Sequence, residues 1–253
     1  MSAKAAIFAV DEYFERSSKE RLPLLISTTI SESGLTPSGQ TIEAFYISVK
    51  HAKPLSVGIT GGLGKGHMKK LSRALAELSL GWCHAGAGAE GEGADACAAS
   101  ASDLAGEKLV NLVGACGASA AHVAAIAAKV KGAAPRQLPA LPRSPVMQLA
   151  GLEPYYVKPD GGCQLVGQRC NMGGSAKFKG LIDAYKYTKE GTKWEAALEL
   201  CVDQCEKGAD ILDFNFDSEL IDSKWAMGKF MRLCASAPKV AKVPFVLSST
   251  SWP

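Results

Sequence analysis

The sequence predicts an α/β protein made of two partial (βα)8 barrels joined by a proline-rich linker. Three observations predict this fold. Short apolar runs alternate with segments of helical periodicity, as parallel βα units do. A cluster of prolines separates four such units from a little under three more. The chain also begins on a helix with no strand before it and ends on a strand with no covering helix, although a buried parallel strand needs both faces covered. We therefore expect the end of one barrel followed by the start of another.

The first four units occupy residues 1–131. An amphipathic helix is predicted over residues 3–14, and the β-branched run at 22–30 predicts a buried strand. Residues 85–102 are almost entirely Ala, Gly, Ser and acidic residues, and this composition predicts a mobile loop or a weak helix. The other predicted elements are helix 41–49, strand 55–59, helix 68–78, strand 78–83, strand 109–113 and helix 120–130.

Prolines at positions 135, 139, 142 and 145 mark the boundary between the two halves. Proline fixes φ and removes a backbone donor, so this stretch predicts an extended linker. We predict three regions: part of a first barrel at 1–131, a linker at 132–162 and part of a second barrel at 163–253. An alternative is that the two halves close against each other into one pseudo-barrel, which the chain length would suit.

Residues 164–182 have the order of a strand, a polar loop and a helix. Glycines at 167, 173 and 174 predict a loop with positive φ or a close approach to a ligand. Ser175 predicts a helix N-cap, and apolar residues follow it at helical spacing. On local pattern alone, an ordinary βα turn explains this segment equally well. The later predicted elements are helix 194–205, strand 209–217, helix 218–234 and strand 243–247.

Composition and charge exclude several classes of protein. Apolar residues at 47% and charged residues at 21% are close to globular averages, and there is no apolar stretch long enough to span a membrane. A net charge of +3 with scattered Lys and Arg indicates neither nucleic acid nor a membrane surface as a partner. Eight irregularly spaced cysteines suit a reducing compartment, and the start of the chain does not resemble a signal peptide. We expect a cytoplasmic protein.

Three polar residues recur at every second position in the predicted strand 209–217. On a strand, Asp213, Asn215 and Asp217 share one face. Polar groups near the carboxyl end of a barrel strand are the groups that a ligand in the barrel mouth meets. Carboxylate and amide side chains suit a flat heterocycle that carries amino and ring N–H donors. The alternative is an edge strand with one solvated face.

Three other motifs carry weaker signals. The glycine-rich run at 58–65 resembles a phosphate loop, but its spacing is one residue off and Gly66 stands where a magnesium-binding hydroxyl is needed. Cys116 is a candidate thiolate ligand, although a zinc site needs three or four converging ligands. Cys201 and Cys205 share one helix face, and we expect a buried thiol pair rather than a metal site.

Two parts of the sequence resemble one enzyme family. Three segments resemble the later part of a homocysteine-binding barrel: Ile-Ser-Thr-Thr-Ile at 26–30, Leu-Ser-Val-Gly at 55–58 and Val-Asn-Leu-Val-Gly at 110–114. Three later segments resemble the start of a folate-binding barrel: Leu-Ala-Gly-Leu-Glu-Pro at 149–154, Gly-Ser-Ala-Lys-Phe at 174–178 and the run at 213–222. In this order, with this linker, the chain resembles cobalamin-dependent methionine synthase.

The resemblance implies transfer of a methyl group from methyltetrahydrofolate through cobalamin to homocysteine, whose thiolate is activated by zinc. The family holds zinc with three cysteines, one after a strand and two adjacent ones after the last strand. In this sequence Gly61 stands at the first position, and Cys116 is the one cysteine where the pair is expected. One ligand cannot hold a catalytic zinc. We therefore expect neither zinc nor cobalamin to be bound, and we expect the homocysteine half to be inactive.

In the folate half, the family's Gly-Glu-Arg-x-Asn loop has become Gly-Gln-Arg-Cys-Asn at 167–171, and an aspartate that binds pterin falls at Ser248. Loss of an ionised acceptor would weaken pterin binding by roughly 2–3 kcal/mol. The remaining barrel strands, the cobalamin domain and the reactivation domain of the family do not occur in this sequence. The resemblance assigns pterin binding to Arg169, Asn171, Ser175, Asp213, Asn215 and Asp217.

The sequence therefore predicts a methionine synthase-like methyltransferase fragment with impaired or absent activity. Methyltetrahydrofolate and homocysteine are the partners that the resemblance implies. The alternatives are a non-catalytic remnant, a weak pterin-binding protein, and a stand-alone pterin-dependent methyltransferase. A partial barrel exposes strand edges and apolar faces, so we also expect self-association.

Overall fold

The fold is a mixed α/β arrangement with two parallel sheets, which confirms the predicted α/β class; the partial barrels and their closure stay predictions. The computed structural model describes residues 2–61, 63–88, 91–115, 117–140, 146–188 and 191–251. The chain divides into two compact units, Met1–Ser144 (unit 1) and Pro145–Pro253 (unit 2). No described helix is both long enough and apolar enough to cross a membrane.

Unit 1 alternates helices and strands along the chain. Its four strands form one parallel sheet in the order β1-β2-β3-β4, as expected for consecutive βα units. A short 3-10 turn at Lys50–Ala52 follows the second helix. The elements are α1 (Ser2–Ser17), β1 (Leu25–Thr29), α2 (Ile42–Val49), β2 (Ser56–Thr60), α3 (Lys65–Leu78), β3 (Trp82–Gly86), α4 (Ala94–Gly106), β4 (Leu112–Gly114) and α5 (Ala120–Val130).

Helices cover one face of the unit 1 sheet. Alternate strand residues such as Val57, Ile59 and Cys83 are buried there against helix residues such as Leu75 and Phe45. Because strand side chains alternate, the intervening residues point to the opposite face. We call that second face the open face; it is formed by Leu25, Ser27, Ser56, Gly58, Trp82, His84 and Leu112.

The segment 85–102, predicted as a mobile loop or a weak helix, is helical from residue 94 onward, and its described residues 87, 88 and 91–93 are irregular. Strand β3 continues to Gly86, and α4 then covers Ala94–Gly106. The buried side chains Cys97, Ala98 and Ala101 pack against Ile126 of α5. Small side chains let the two helices approach closely, so that a segment with little apolar surface still packs well.

Arg136 lies in the predicted linker, but it is buried and hydrogen-bonded to other residues of unit 1. Its guanidinium donates hydrogen bonds to the carbonyl oxygens of Ala76 at 2.5 Å, Ser79 at 2.5 Å and Gly81 at 2.9 Å. These carbonyls lie at and just after the C-terminus of α3, where the helix dipole favours a cation. The backbone N–H of Arg136 also donates to Val110, just before β4.

Unit 2 begins with an antiparallel hairpin, β5 (Met147–Ala150) and β6 (Pro154–Val157). This hairpin also lies in the predicted linker, and Pro154 occupies the first residue of its strand, where a missing N–H is tolerated. A parallel sheet of order β7-β8-β9 follows. Its elements are β7 (Val166–Asn171), α6 (Ala176–Thr188), α7 (Gly191–Glu206), β8 (Ile211–Asn215), α8 (Ser223–Ser236), α9 (Pro238–Ala241) and β9 (Phe245–Ser248).

An aromatic cluster forms the core of unit 2. Phe230 of α8 is fully buried, and its ring centroid lies 5.6 to 6.0 Å from those of Phe178, Phe214, Phe216 and Trp194. The angles between rings are mostly steep, which is a favourable arrangement for aromatic pairs. This packing holds α6, α7 and α8 on one face of the sheet.

Candidate functional site

Strand β8 places the predicted polar residues on the face opposite the aromatic core. Leu212 and Phe214 are buried in that core, while Asp213 and Asn215 alternate with them. β8 lies between β7 and β9 in the sheet, so the edge-strand alternative is wrong. The polar side chains therefore occupy the centre of the sheet, near its carboxyl end, where a bound ligand would contact several strands.

Asp213 is held by two side chains from the neighbouring strands. Ser248 of β9 donates its hydroxyl to Asp213 Oδ1 at 2.8 Å, and Gln168 of β7 donates its amide to Oδ2 at 3.5 Å. The carboxylate is buried, with only 7% of the residue exposed. An ionised carboxylate has about four acceptor positions, so capacity for a ligand N–H remains.

Asp217, two residues after β8, is fixed by the loop that follows β9. Its carboxylate accepts hydrogen bonds from the Ser249 hydroxyl at 2.7 Å, the Thr250 backbone N–H at 2.7 Å and the Asn215 amide at 3.2 Å. These hydrogen bonds hold the pKa of Asp217 below its ordinary value, with the largest effect from the Ser249 hydroxyl and the next from the Thr250 N–H. This carboxylate is therefore charged at neutral pH and favours a cationic or donor-rich group beside it.

Asn171 ends β7 and lies opposite Asn215 in the register of the sheet, and Asn215 in turn lies opposite Ser248. These three residues form a polar row across the carboxyl end. The Asn171 side-chain oxygen accepts the backbone N–H groups of Gly173 at 2.8 Å and Gly174 at 2.9 Å. Its amide nitrogen faces no described protein acceptor, which leaves it available to a ligand.

Ser175 caps α6 as predicted, because its hydroxyl accepts the N–H of Phe178 at 3.3 Å. The predicted loop, however, begins later than expected. Strand β7 runs to Asn171 with an irregularity between Gly167 and Cys170, and none of the three predicted loop glycines has a positive φ. A Cβ at Gly167 would lie 2.8 Å from the side chain of Gln204, so the close approach there is to the protein itself.

Arg169 and Ser175 are not brought together with the β8 carboxylates. The Arg169 side chain is exposed, and its backbone N–H donates to Gln204 Oε1 at 2.8 Å. Both residues line a concavity of about 390 Å³ along the outer edge of β7, whose lining includes neither Asp213 nor Asn215. The structure therefore groups Asn171, Asp213, Asn215 and Asp217 and separates the other two.

The cysteines of the α7 face pair differently from the prediction. Cys201 is fully buried, but its Sγ lies 3.3 Å from Cys170 of β7, and Cys205 is only half-buried. The hydrogen bond with Cys201, together with burial, raises the pKa of the Cys170 thiol. This thiol stays protonated, which agrees with a packing role rather than a metal-binding role.

The carboxyl end of the unit 1 sheet carries hydroxyls and glycines. Thr29 of β1 lies opposite Thr60 of β2, and Gly86 of β3 lies opposite Gly114 of β4. Gly61, just after β2, has a φ of +125°, and a Cβ there would lie 3.0 Å from Thr29 Cγ2. A residue with a side chain is therefore strained at this position.

His84 spans three strands on the open face of unit 1. Its Nε2 is hydrogen-bonded to the Ser27 hydroxyl at 2.7 Å, and its Nδ1 to the Ser56 hydroxyl at 2.8 Å. Gly58 provides the room for the ring, because a Cβ there would lie 2.3 Å from His84 Cδ2. Burial lowers the pKa of His84, so the ring is neutral at pH 7.

A family model for homocysteine S-methyltransferases matches residues 1–130, which is just over half of the 253 residues and includes the whole parallel sheet of unit 1. The chain belongs to the homocysteine S-methyltransferase family. Membership supports a homocysteine methyltransferase-like function, with homocysteine as the substrate partner.

In this homocysteine S-methyltransferase family member, the described residues do not fit a zinc ion held by thiolates. Gly61 brings no ligand to the end of β2 and has a backbone conformation that disfavours one. Among the described residues, no group of three or more His, Cys, Asp or Glu side chains could hold a metal. Cys116, the other predicted ligand, lies outside the described residues.

Sequence reasoning overlooked the residues that hold the candidate ligand groups of this family member. Ser249 and Thr250 fix Asp217, although no local pattern marks them as its partners. Gln168 was singled out only as a changed residue of the loop at 167–171, and its approach to Asp213 was not predicted. One signal was present for the first pair. A run of four hydroxyl residues, 248–251, begins at the last residue of β9, at the position where parallel strands bring their loops together.

Proposed function

We propose that this chain is related to cobalamin-dependent methionine synthase, with the end of a homocysteine-binding barrel in unit 1 and the start of a pterin-binding barrel in unit 2. In such an enzyme a methyl group passes from methyltetrahydrofolate through cobalamin to homocysteine. The family match supports the first half of this proposal. The observation that carries the second half is the convergence of Asn171, Asp213, Asn215 and Asp217 at one end of the unit 2 sheet.

The chemistry of this cluster suits a pterin. A pterin presents an amino group and ring N–H donors along one edge, and the cluster offers two carboxylates with two amides beside them. We expect this cluster to bind a pterin more weakly than a site with carboxylates at all of these positions. Gln168 supplies an amide instead of a carboxylate, and the Ser248 hydroxyl already donates to one oxygen of Asp213. Replacing one charged acceptor weakens such a contact by about 2–3 kcal/mol.

The homocysteine half is impaired in this proposal. Zinc would supply the activation of the substrate thiol, but the described residues do not fit it, and no methyl-transfer step is assigned to unit 1. Metal analysis of the purified chain tests this directly. Less than one-tenth equivalent of zinc is expected, and stoichiometric zinc would contradict the impaired site.

Titration with methyltetrahydrofolate tests pterin binding by the full chain. We expect saturable binding with a dissociation constant in the micromolar to millimolar range, measured by calorimetry. Asp213 has acceptor capacity left, and Asp213→Asn keeps the shape of its side chain but removes the charge, so this variant is expected to weaken binding about tenfold or more. Asp203→Asn is the matched control, since Asp203 is an exposed residue of α7 paired with Lys207. Its affinity should equal that of the unmodified chain.

A non-catalytic protein is the second candidate, and Gly61 is the observation that favours it, because the backbone conformation there disfavours any residue with a ligand side chain. Absence of binding at millimolar methyltetrahydrofolate, in a chain that melts cooperatively, would remove the pterin proposal and leave this one. Methyl transfer to free cobalamin without a partner protein would instead indicate a stand-alone pterin-dependent methyltransferase.

A further inference from the structure

We propose that Asp217 is a positioning residue of the unit 2 site. Its carboxylate holds the loop after β9 against the end of β8 and orients the Asn215 amide, so that the Asn215 side-chain oxygen, and not Asp217, contacts a ligand. The role of Asp217 toward a pterin rests on the proposed function, whereas the orientation of Asn215 is a property of the chain alone and can be measured without a ligand.

The hydrogen bonds of the Asp217 carboxylate come from the protein itself. Oδ1 accepts the Ser249 hydroxyl at 2.7 Å. Oδ2 accepts the Thr250 backbone N–H at 2.7 Å, the Thr250 hydroxyl at 3.0 Å and the Asn215 amide at 3.2 Å. We call these four hydrogen bonds the clasp. Because an ionised carboxylate has about four acceptor positions, the clasp already supplies the usual number of donors.

Asp213 keeps more capacity for a ligand than Asp217 does. Among the described residues it accepts the Ser248 hydroxyl at 2.8 Å and the Gln168 amide at 3.5 Å, a distance near the limit of a hydrogen bond. Asp213 is also buried, whereas Asp217 is partly exposed, and a buried charge attracts a ligand donor more strongly than an exposed one. The two carboxylates therefore suit different roles.

The Asn215 amide has one orientation that satisfies its neighbours. Its nitrogen donates to Asp217 Oδ2 at 3.2 Å and to the Ser248 carbonyl at 3.1 Å, and its oxygen accepts the Asp217 backbone N–H at 2.9 Å. The reverse orientation would place an oxygen against two acceptors and an NH2 group against a donor. Both amide hydrogens are thus used within the protein, and the oxygen keeps one lone pair for a ligand donor.

The clasp should affect a ligand through this amide. Loss of the Asp217 carboxylate removes one acceptor of the Asn215 nitrogen. It also releases the segment after Ser248, whose carbonyl is the second acceptor. The amide can then turn about its last side-chain bond, and the turned form presents N–H groups to the N–H donors of a pterin. Affinity falls by the fraction of molecules that leave the productive orientation.

Removal of the charge alone distinguishes a positioning residue from a ligand group. In Asp217→Asn the remaining oxygen can accept the donors of Thr250 and Asn215. The new NH2 group can donate to the Ser249 hydroxyl, so the clasp persists without its charge. Calorimetry of the full chain with methyltetrahydrofolate should show less than about twofold loss of affinity for Asp217→Asn, and about fivefold loss or more for Asp217→Ala.

Two further variants are the references for these results. Asp213→Asn should weaken binding about tenfold, as a direct contact does. Ser251→Ala is the matched control, because Ser251 belongs to the same loop and its hydroxyl has no hydrogen bond within the described part of the chain; its affinity should not change. A tenfold loss in Asp217→Asn would overturn the positioning role, and so would unchanged affinity in Asp217→Ala.

Side-chain amide signals of the ligand-free chain separate failure of this role from failure of pterin binding. In a nitrogen–proton correlation spectrum, the NH2 pair that disappears in Asn215→Asp should shift in Asp217→Ala and keep its position in Ser251→Ala. An unchanged pair in Asp217→Ala would overturn the proposal. A shifted pair without binding by the unmodified chain would support the orientation and reject the pterin alone. If Asp217→Ala fails to fold, Ser249→Ala removes one hydrogen bond of the clasp and must shift the same pair.

Discussion

The carboxyl ends of the two parallel sheets differ in what they could bind. In unit 2, Asp213, Asn215 and Asp217 present charged and amide groups, each fixed by at least one hydrogen bond. In unit 1, the equivalent end presents Thr60 and Gly61, which has a positive φ. Both ends belong to sheets of the same parallel type, so the difference lies in the side chains and not in the scaffold.

This difference shows that a binding site depends on supporting contacts as well as on ligand groups. Asp217 keeps its position because Ser249 and Thr250 come from a neighbouring loop. At Gly61 the local backbone has a conformation that only glycine adopts easily. The proposal that unit 1 is impaired while unit 2 binds a pterin depends on this difference.

The largest effect should come from the aromatic core of unit 2. Phe230→Ala removes a ring that contacts four other aromatic side chains, and we expect unit 2 to lose about 3–5 kcal/mol of unfolding free energy. Hydrogen exchange read peptide by peptide separates the two units. Phe8→Ala is the control, since Phe8 is mostly exposed on α1. Equal loss of protection in unit 1 would show that the two units unfold together.

Arg136 should matter most for unit 1. Arg136→Ala leaves the carbonyls of Ala76, Ser79 and Gly81 without their buried donor, which should destabilise unit 1 by about 3 kcal/mol. Arg136→Lys should restore part of this loss, because one ammonium cannot reach all three carbonyls. The neighbouring, exposed Gln137→Ala should change little. Denaturant titration checks all three variants, and an unchanged midpoint for Arg136→Ala would contradict the capping role.

The periodicity of apolar residues, together with the glycines and prolines between apolar runs, was sufficient to predict most of the helices and strands. The helix predicted at 120–130 coincides with α5, and the alternation at 213–217 placed Asp213 and Asn215 on one face, as observed. Such features depend on neighbouring residues along the chain, so the sequence carries them directly.

The contacts that hold the candidate site could not be predicted in this way. Ser248 reaches Asp213 across 35 positions, and the pairing of Arg169 with Gln204 follows from an irregular strand that no local pattern marks. The hairpin of β5 and β6 lies in the stretch that prolines predict to be an extended linker, although a proline at the start of a strand is compatible with pairing. Tertiary packing decided each of these features.

The backbone requirement at Gly61 in unit 1 can be tested by substitution. Gly61→Ala must adopt a φ near +125°, so we expect it to destabilise unit 1 by about 1–2 kcal/mol. Gly66→Ala is the matched control within α3, where nothing lies within 4 Å of the added Cβ, and it should stabilise by about 0.5–1 kcal/mol. Thermal melting compares the two, and equal effects would mean that position 61 has no special backbone requirement.

The smallest effect should be a difference in the pH dependence of the two units. All four histidines lie in unit 1, and burial lowers the pKa of His84. The unfolded chain then binds a proton more readily than the folded one, so the stability of unit 1 should fall as the pH drops below about 6.5. In unit 2 the pKa of Asp217 is also lowered, but a carboxylate loses its contribution only when the pH falls below about 4.

Hydrogen exchange between pH 7 and 5.5, corrected for the intrinsic rates, should therefore weaken protection in unit 1 and leave unit 2 unchanged. The change should stay below about 1 kcal/mol, because His84 is only half-buried and solvent screens part of its charge. His84→Asn should remove the difference, whereas His51→Asn, at an exposed position, should preserve it. If the pH response survives His84→Asn, another titrating group of unit 1 causes it. The difference between the two units would then come from charge distributed over unit 1 and not from the hydrogen bonds of its open face.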